Sequence, residues 1–110
     1  MTNGALAEQL AERYLVRQGL RLIERNFRCR LGEIDLIMRD GAAMVFVEVR
    51  QRSNSRFGGA IASIDLRKQQ KLIAAAHYYL ANSTVLPPCR FDALLIEGDA
   101  INWIRDAFSA

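Results

Sequence analysis

The chain has 110 residues, a formal net charge of +3, 51% hydrophobic residues and 25% charged residues. This length suits one domain, residues 1–110, and the composition argues against disorder. The longest apolar run, Ala42 to Val47, is too short to cross a bilayer, and charged residues interrupt the N-terminal segment where a signal peptide would be apolar. We therefore expect a cytoplasmic protein that does not cross a membrane.

The first predicted element is a helix from about Ala5 to Gln18, ended by Gly19 in the left-handed conformation. A strand from about Leu20 to Arg28 follows. The helix is predicted to bury a stripe of apolar residues formed by Leu6, Ala7, Leu10, Ala11 and Tyr14.

The next segment predicts a β-hairpin whose two-residue turn is Asp40-Gly41. In this register Asp35 faces Phe46 and Glu48 faces Glu33. One face of the hairpin is then uniformly apolar, which supports the register because a one-residue slip would mix the two faces. The predicted apolar face holds Ile34, Leu36, Met38, Val45, Val47 and Val49.

Asp35 and Glu48 share the other face of this hairpin as diagonal neighbours, with backbones about 7–8 Å apart. Two carboxylates at this spacing repel each other, and a divalent cation bound between them would make the arrangement favourable. The alternative is a solvated polar face of an antiparallel hairpin. Glu33 fits either an outer acid of the site or a strand-end charge.

The remaining elements are a polar loop over residues 51–59, a helix from about Asp65 to Ala81, and strands over residues 90–96 and 100–104. The fold class is therefore α/β, with the order α-β-β-β-α-β-β. A helix between the third and fourth strands implies a parallel pair within a mixed sheet. The apolar face predicted for the second helix comprises Leu66, Leu72, Ile73, Ala76 and Leu80.

Basic residues occur in three groups along the chain, and positive charge beside an acidic metal site suits a polyanionic partner such as DNA. Each group taken alone also fits solvated surface charge. His77, Tyr78, Tyr79 and Trp103 are interpreted as packing or surface residues, and Asp92 as structural. The basic groups are Arg17, Arg21, Arg25, Arg28 and Arg30; Arg50, Arg52 and Arg56; and Arg67, Lys68 and Lys71.

The element order, the motif G-E-I-D-L-I over residues 32–37 and the motif V-E-V-R-Q-R over residues 47–52 resemble the YraN family of bacterial proteins. The resemblance covers nearly the whole chain and includes residues 25–30, 56–58, 68–69 and 90–92. That family is similar to archaeal Holliday-junction resolvases and, more distantly, to restriction-endonuclease-like nucleases of the PD-(D/E)xK type. The implied fold is a restriction-endonuclease-like mixed sheet flanked by helices.

The resemblance implies that Asp35 and Glu48 hold Mg²⁺ or Mn²⁺ and that Arg50 stands at the lysine position of the motif. Glu8 matches the helix glutamate that often completes the acidic cluster in such nucleases, and Glu12 is the second choice. The substitution of arginine matters because lysine can lose its proton, whereas arginine effectively cannot. Lys68 or Lys71, from the second helix, is the alternative source of a lysine at the site.

Three functions follow as hypotheses. The first is a metal-dependent endonuclease acting on DNA, including branched or structured DNA, in which Arg52, Arg56, Lys68 and Lys71 contact the backbone. The second is a nucleic-acid-binding module on the same fold without cleavage, and the third is a protein-interaction scaffold. By analogy with resolvases that cut symmetric junctions, the enzyme would act as a homodimer.

Overall fold

The computed structural model describes residues 3–52 and 64–109, which form a five-stranded mixed sheet with one helix on each face. The strands lie in chain order across the sheet, and α2 connects the parallel pair, β3 and β4. The predicted fold class and element order are confirmed. The elements are α1 (Asn3–Arg17), β1 (Arg21–Cys29), β2 (Gly32–Asp40), β3 (Ala43–Arg52), α2 (Leu66–Leu80), β4 (Cys89–Glu97) and β5 (Ala100–Phe108).

Helix α1 ends as predicted, because Gly19 has a φ of +101°. The amide of Leu20 donates to the carbonyl of Leu15 at 3.1 Å. The amide of Gly19 donates to the carbonyl of Val16 at 3.0 Å. This pair of hydrogen bonds is the Schellman motif, which satisfies the last carbonyls of a helix. It also turns the chain directly into β1.

Small side chains of α1 face the sheet. Ala7, Ala11 and Leu15 are buried at four-residue spacing, against β2, β3 and β4. The prediction that Leu6 and Leu10 belong to this stripe is wrong, since their side chains are 44% and 46% exposed. Each leucine precedes a buried alanine by one residue, which places it about 100° around the helix from the sheet.

Helix α2 covers the opposite face of the sheet and begins at Asp65, whose carboxylate accepts a hydrogen bond from the amide of Lys68 at 2.8 Å. This is an N-cap bond. Leu66 was predicted on the apolar face but is 67% exposed, because its position is out of phase with the buried residues of the helix. The buried residues of α2 are Leu72, Ala75, Ala76 and Leu80.

The hairpin of β2 and β3 has a different register from the predicted one. Asp40 pairs with Ala43, so the turn residues are Gly41 and Ala42, and Gly41 has a φ of +60°. Glycine at the first turn position suits a type II′ turn, which avoids a positive φ at Asp40. The shift is two residues, so Leu36, Met38, Val45 and Val47 still share a face as predicted, and Asp35 is brought level with Glu48.

Asp40 is held by two arginines from the far strands. Its Oδ2 atom accepts from Arg90 and from Arg105, both at 2.9 Å. Arg90 also binds Asp92, which is fully buried and accepts a further hydrogen bond from Trp103 Nε1 at 2.9 Å. This satisfied network supports a structural role for Asp92 and ties the hairpin turn to β4 and β5.

Within the described ranges, no helix has the length and apolar character needed to cross a membrane. Cys29 and Cys89 are free thiols.

Gly32, the first residue of β2, lets α2 approach the hairpin closely. A Cβ atom at this position would lie 2.8 Å from the backbone carbonyl oxygen of Lys71. We expect Gly32→Ala to lower the free energy of unfolding by about 1–3 kcal/mol, because helix and strand must move apart. Urea denaturation measures this change.

Gly4→Ala is the matched control, since a Cβ atom at Gly4 meets nothing within 4 Å. This control should be neutral or slightly stabilising, because alanine favours helix more than glycine does. Equal stability of Gly32→Ala and wild type would contradict the close packing of α2 on β2.

Candidate metal centre

The candidate site lies where β2 and β3 separate. Their paired residues run from Asp40 and Ala43 to Leu36 and Val47, although both strands continue further. Beyond this point β2 remains paired with β1, and β3 remains paired with β4. We call this opening the fork.

Asp35 closes the fork with its side chain. The amide of Val49 donates to Asp35 Oδ2 at 2.9 Å, so a carboxylate oxygen accepts the bond that a backbone carbonyl would accept in a continued ladder. This hydrogen bond fixes the aspartate on β2 against β3. It also places the carboxylate beside Glu48, the residue before Val49.

In β2, the alternation of side chains between the two faces of the sheet breaks at Asp35. Leu36 packs in the core under α1, whereas Ile34 packs in the core under α2, so the prediction that these two residues share a face is wrong. On β1, Arg25 reaches Glu12 of α1 while Phe27 contacts Tyr79 of α2. Asn26 lies between them with a φ of +53°, a left-handed conformation that asparagine tolerates.

Glu48 is the buried member of the site, with a side chain only 4% exposed. Its Oε2 atom contacts two cationic groups, the guanidinium of Arg50 at 3.2 Å and the ammonium of Lys68 at 3.2 Å. Arg50 lies two residues along β3, and Lys68 lies in the first turn of α2. The Nε atom of Arg50 is buried and has no hydrogen-bond partner among the described residues.

Burial raises the pKa of Glu48 to about 8, and a hydrogen bond and charge repulsion from Asp35 act in the same direction. Lys68 and Arg50 oppose the rise but do not cancel it. With this pKa, Glu48 is mostly protonated at pH 7 and can donate a hydrogen bond to the Asp35 carboxylate.

Glu8 on α1 extends this pair into a series of three acidic side chains. Burial raises the pKa of Glu8, and Asp35 raises it further through its charge and a hydrogen bond. Glu12, the second choice, instead forms hydrogen bonds of 2.6 and 2.9 Å with the guanidinium of Arg25. The structure thus brings Glu8 rather than Glu12 to Asp35.

Hard divalent cations bind carboxylate oxygens, and the donor set fits that chemistry. Within residues 3–52 and 64–109, however, no three His, Cys, Asp or Glu side chains surround a common point. Glu8 contacts Asp35, and Asp35 contacts Glu48, in series. A divalent cation here would have at most Asp35 and Glu48 as direct carboxylate ligands, and Mg²⁺ is commonly held by one or two carboxylates and several waters.

The other predicted site residues lie in different places. Lys68, predicted to contact nucleic acid, contacts Glu48 at 3.2 Å, and its contact with nucleic acid stays a prediction. Lys71 lines a recess of about 320 Å³ with the tip of the β1–β2 hairpin. The backbone of Arg52 ends β3 opposite Glu97, but its side chain and all of Arg56 lie outside the described residues.

Glu33 pairs with Arg28 at 3.2 Å, and its side chain is 55% exposed. This favours the interpretation of Glu33 as a strand-end charge.

A cavity of about 720 Å³ lies at the other end of α2, between Leu80 and the start of β4, and none of the three acidic residues of the site lines it.

Two lysines of α2, Lys68 and Lys71, were predicted as alternatives to reach the site. Lys68 does so, because its ammonium contacts Glu48 at 3.2 Å, whereas Lys71 lines the recess beside the β1–β2 hairpin. The contact of Lys68 with Glu48 joins elements that are distant in the chain, so spacing along one element does not decide between the two lysines.

The raised pKa of Glu48 predicts a pH-dependent stability. A carboxyl whose pKa is raised on folding stabilises the protein below its unfolded pKa of 4.5, and that contribution is lost as the pH rises toward 8. We expect Glu48→Gln to remove this decline, whereas Glu33→Gln, an exposed control, retains it. Thermal denaturation from pH 5 to 9 tests this, and the same decline in Glu48→Gln would contradict it.

The chain matches the family described as "Uncharacterised protein family UPF0102" over residues 7–96. It is 59% identical over 107 residues to a UPF0102 protein of Methylobacillus flagellatus, with 94% of each chain covered. It is 56% identical over 108 residues to UPF0102 protein NE0719 of Nitrosomonas europaea, covering 96% of this chain and 92% of the relative. The chain belongs to the UPF0102 family.

Proposed function

We propose that this protein is a Mg²⁺- or Mn²⁺-dependent phosphodiester hydrolase of the nuclease type that acts on DNA. The observation that carries the proposal is the buried Glu48 carboxyl, paired with Asp35 at the fork and contacted by Arg50 and Lys68. The resemblance to PD-(D/E)xK nucleases in the motifs around these residues supports the same function.

A purely structural role explains the arrangement poorly. Two acidic groups in contact at a buried position repel each other when both are charged, and burying a charged carboxylate costs free energy. The rest of the sheet around Glu48 is packed with apolar residues, including Phe46, Val47 and Ala93. Local arrangements that oppose stability occur most often at functional sites.

Asp35 and Glu48 would hold the metal, and Glu8 would orient its outer water ligands through Asp35. When bound, the metal lowers the pKa of a coordinated water and stabilises negative charge on the phosphate. The Arg50 guanidinium, permanently charged, would stabilise the charge that develops on the phosphate oxygens during attack. Its unpaired Nε atom leaves a donor without a partner among the described residues.

Basic side chains beside the fork would hold the DNA backbone. Lys71 and the tip of the β1–β2 hairpin line a common recess, and Arg28 and Arg30 lie at that tip. Arg28 is already paired with Glu33, so Arg30 and Lys71 are the stronger candidates for phosphate contacts. Arg52 and Arg56 remain predicted DNA contacts from the sequence. Phosphate contacts of this kind position DNA without reading its sequence.

The second candidate function is a nucleic-acid-binding module that does not cleave. One observation favours it: the position that holds a lysine in the nuclease motif is Arg50, which already contacts Glu48. An arginine preserves the charge of that position but cannot accept a proton.

A cleavage assay tests the proposed function. We expect wild-type protein with Mn²⁺ or Mg²⁺ to cut at least one member of a panel of linear, nicked, flapped and four-way DNA. Glu48→Ala and Asp35→Ala should each reduce the rate by at least about a hundredfold, since the loss of a ligand removes the metal. Glu33→Gln, prepared in the same way, controls for contaminating nuclease.

Gel shifts on the same DNA in EDTA separate the two candidate functions. Binding that weakens steeply with salt, without cleavage under any metal condition, would establish the non-cleaving module. The absence of both binding and cleavage would contradict a nucleic-acid function altogether.

A further inference from the structure

The turn of the β1–β2 hairpin carries a leucine where turn chemistry does not call for one. Cys29 pairs with Gly32, so Arg30 and Leu31 are the two central residues of a two-residue turn. Such turns favour glycine, asparagine and aspartate, because the turn types that match the twist of the strands need positive φ angles. Neither Arg30 nor Leu31 has a positive φ. The choice of leucine therefore does not serve the turn.

Burial does not explain this leucine either. Leu31 is 42% exposed and belongs to none of the hydrophobic clusters formed by the described residues. Single exposed apolar residues are common on protein surfaces, but this one also replaces a residue type that the turn favours. A residue that departs from local rules without a gain in packing is most often functional.

Positive charge surrounds Leu31. Three basic residues, Arg28, Arg30 and Lys71, line the same recess as the leucine, and Glu33 is the acidic residue among the described residues that line it. Because Glu33 is paired with Arg28, the surface around the leucine has a net positive charge. DNA suits such a surface, since its phosphates bind cations and its base pairs offer apolar faces to an inserted side chain.

The hairpin is packed against α2, which directs its tip outward. Phe27 contacts Tyr79 edge-on, with ring centroids 5.0 Å apart, and Gly32 lies against the Lys71 backbone. Leu31 precedes Asp35 by four residues, or roughly 13 Å along an extended strand. This is less than half of the roughly 34 Å helical turn of DNA, so one DNA molecule can contact both the tip and the fork.

We propose that Leu31 inserts between bases where the stacking of DNA is interrupted, and that the protein thereby selects nicked, flapped or four-way DNA over continuous duplex. This inference rests on the DNA contacts of the proposed function and names their substrate class. An apolar side chain that enters a continuous duplex must first unstack two base pairs, which costs free energy. At a nick or junction the stack is already weakened, so insertion costs less there.

Substitution of Leu31 by asparagine tests this role, because asparagine suits the turn but removes the apolar side chain. Fluorescence anisotropy in EDTA measures the affinity for a nicked duplex and for the intact duplex of the same sequence. We expect wild type to prefer the nicked duplex by at least about tenfold, and Leu31→Asn by less than about threefold. Affinity for the intact duplex should change less than about twofold, because the phosphate contacts remain.

Two further variants are controls. Leu86→Asn makes the same change at a leucine that is 69% exposed and lies at the other end of α2, so it should leave the preference unchanged. Leu31→Met keeps an apolar side chain at the tip and should retain the preference for nicked DNA.

A 2-aminopurine base placed beside the nick reports insertion directly, because its fluorescence rises when it unstacks. Saturating wild-type protein should raise this fluorescence at the nick but not at the same base of the intact duplex. Leu31→Asn should produce no rise at either position.

The outcomes separate this inference from the proposed function. An unchanged preference in Leu31→Asn, or an equal loss of affinity for both duplexes, would overturn the role of Leu31 and leave the hydrolase intact. Leu31-dependent selection of nicked DNA without cleavage under any metal condition would support the inference and overturn the hydrolase. Absence of DNA binding would overturn both, and Leu31-dependent binding to phosphatidylserine vesicles would then identify a lipid surface as the target.

Discussion

The burial of the Glu48 carboxyl against Asp35, at the point where β2 and β3 separate, is the constraint on which the rest of the site depends. A continued ladder between these strands would satisfy their backbone groups and leave no opening. The Asp35 carboxylate instead accepts the hydrogen bond of the Val49 amide, which lets the strands part without leaving that donor unpaired. The fork thus brings together the two acidic groups of the proposed metal site.

The surrounding elements balance the charge that this burial introduces. Arg50 comes from the same strand as Glu48, and Lys68 comes from the first turn of the helix that covers this face. That turn is fixed by its N-cap and by the contact between Gly32 and the Lys71 backbone. On the other face, α1 approaches the sheet through alanines and carries Glu8 to Asp35. Both helices therefore contribute to the site through local packing.

The element order could be predicted because the hydrophobic periodicity, the glycines and the helix caps agree with one another. Gly19 ends α1 and Asp65 begins α2, as their residue types require. The predicted hairpin register was wrong by two residues because Asp40-Gly41 and Gly41-Ala42 are both plausible turns, and the residues of the hairpin alone do not decide between them. Since the period of a strand is two, the error left Leu36, Met38, Val45 and Val47 on their predicted common face.

The parts of the site that could not be predicted involve contacts between elements. Whether Glu8 or Glu12 reaches Asp35 depends on the rotation of α1 and on the competing partner Arg25. Hydrophobic periodicity does not reveal the break in alternation at Asn26, because asparagine can adopt either the extended or the left-handed backbone conformation. The contact of Lys68 with Glu48 likewise needs the packing of α2 on the sheet.

Carbon-13 NMR titration of the Glu48 carboxyl, with and without Mg²⁺, follows the protonation of the buried acid itself. We expect a pKa of about 8 in the metal-free protein and a much lower pKa when Mg²⁺ is bound, because the cation favours the charged carboxylate. A metal-free pKa near 4.5 that Mg²⁺ does not change would contradict both the burial of Glu48 against Asp35 and the metal centre.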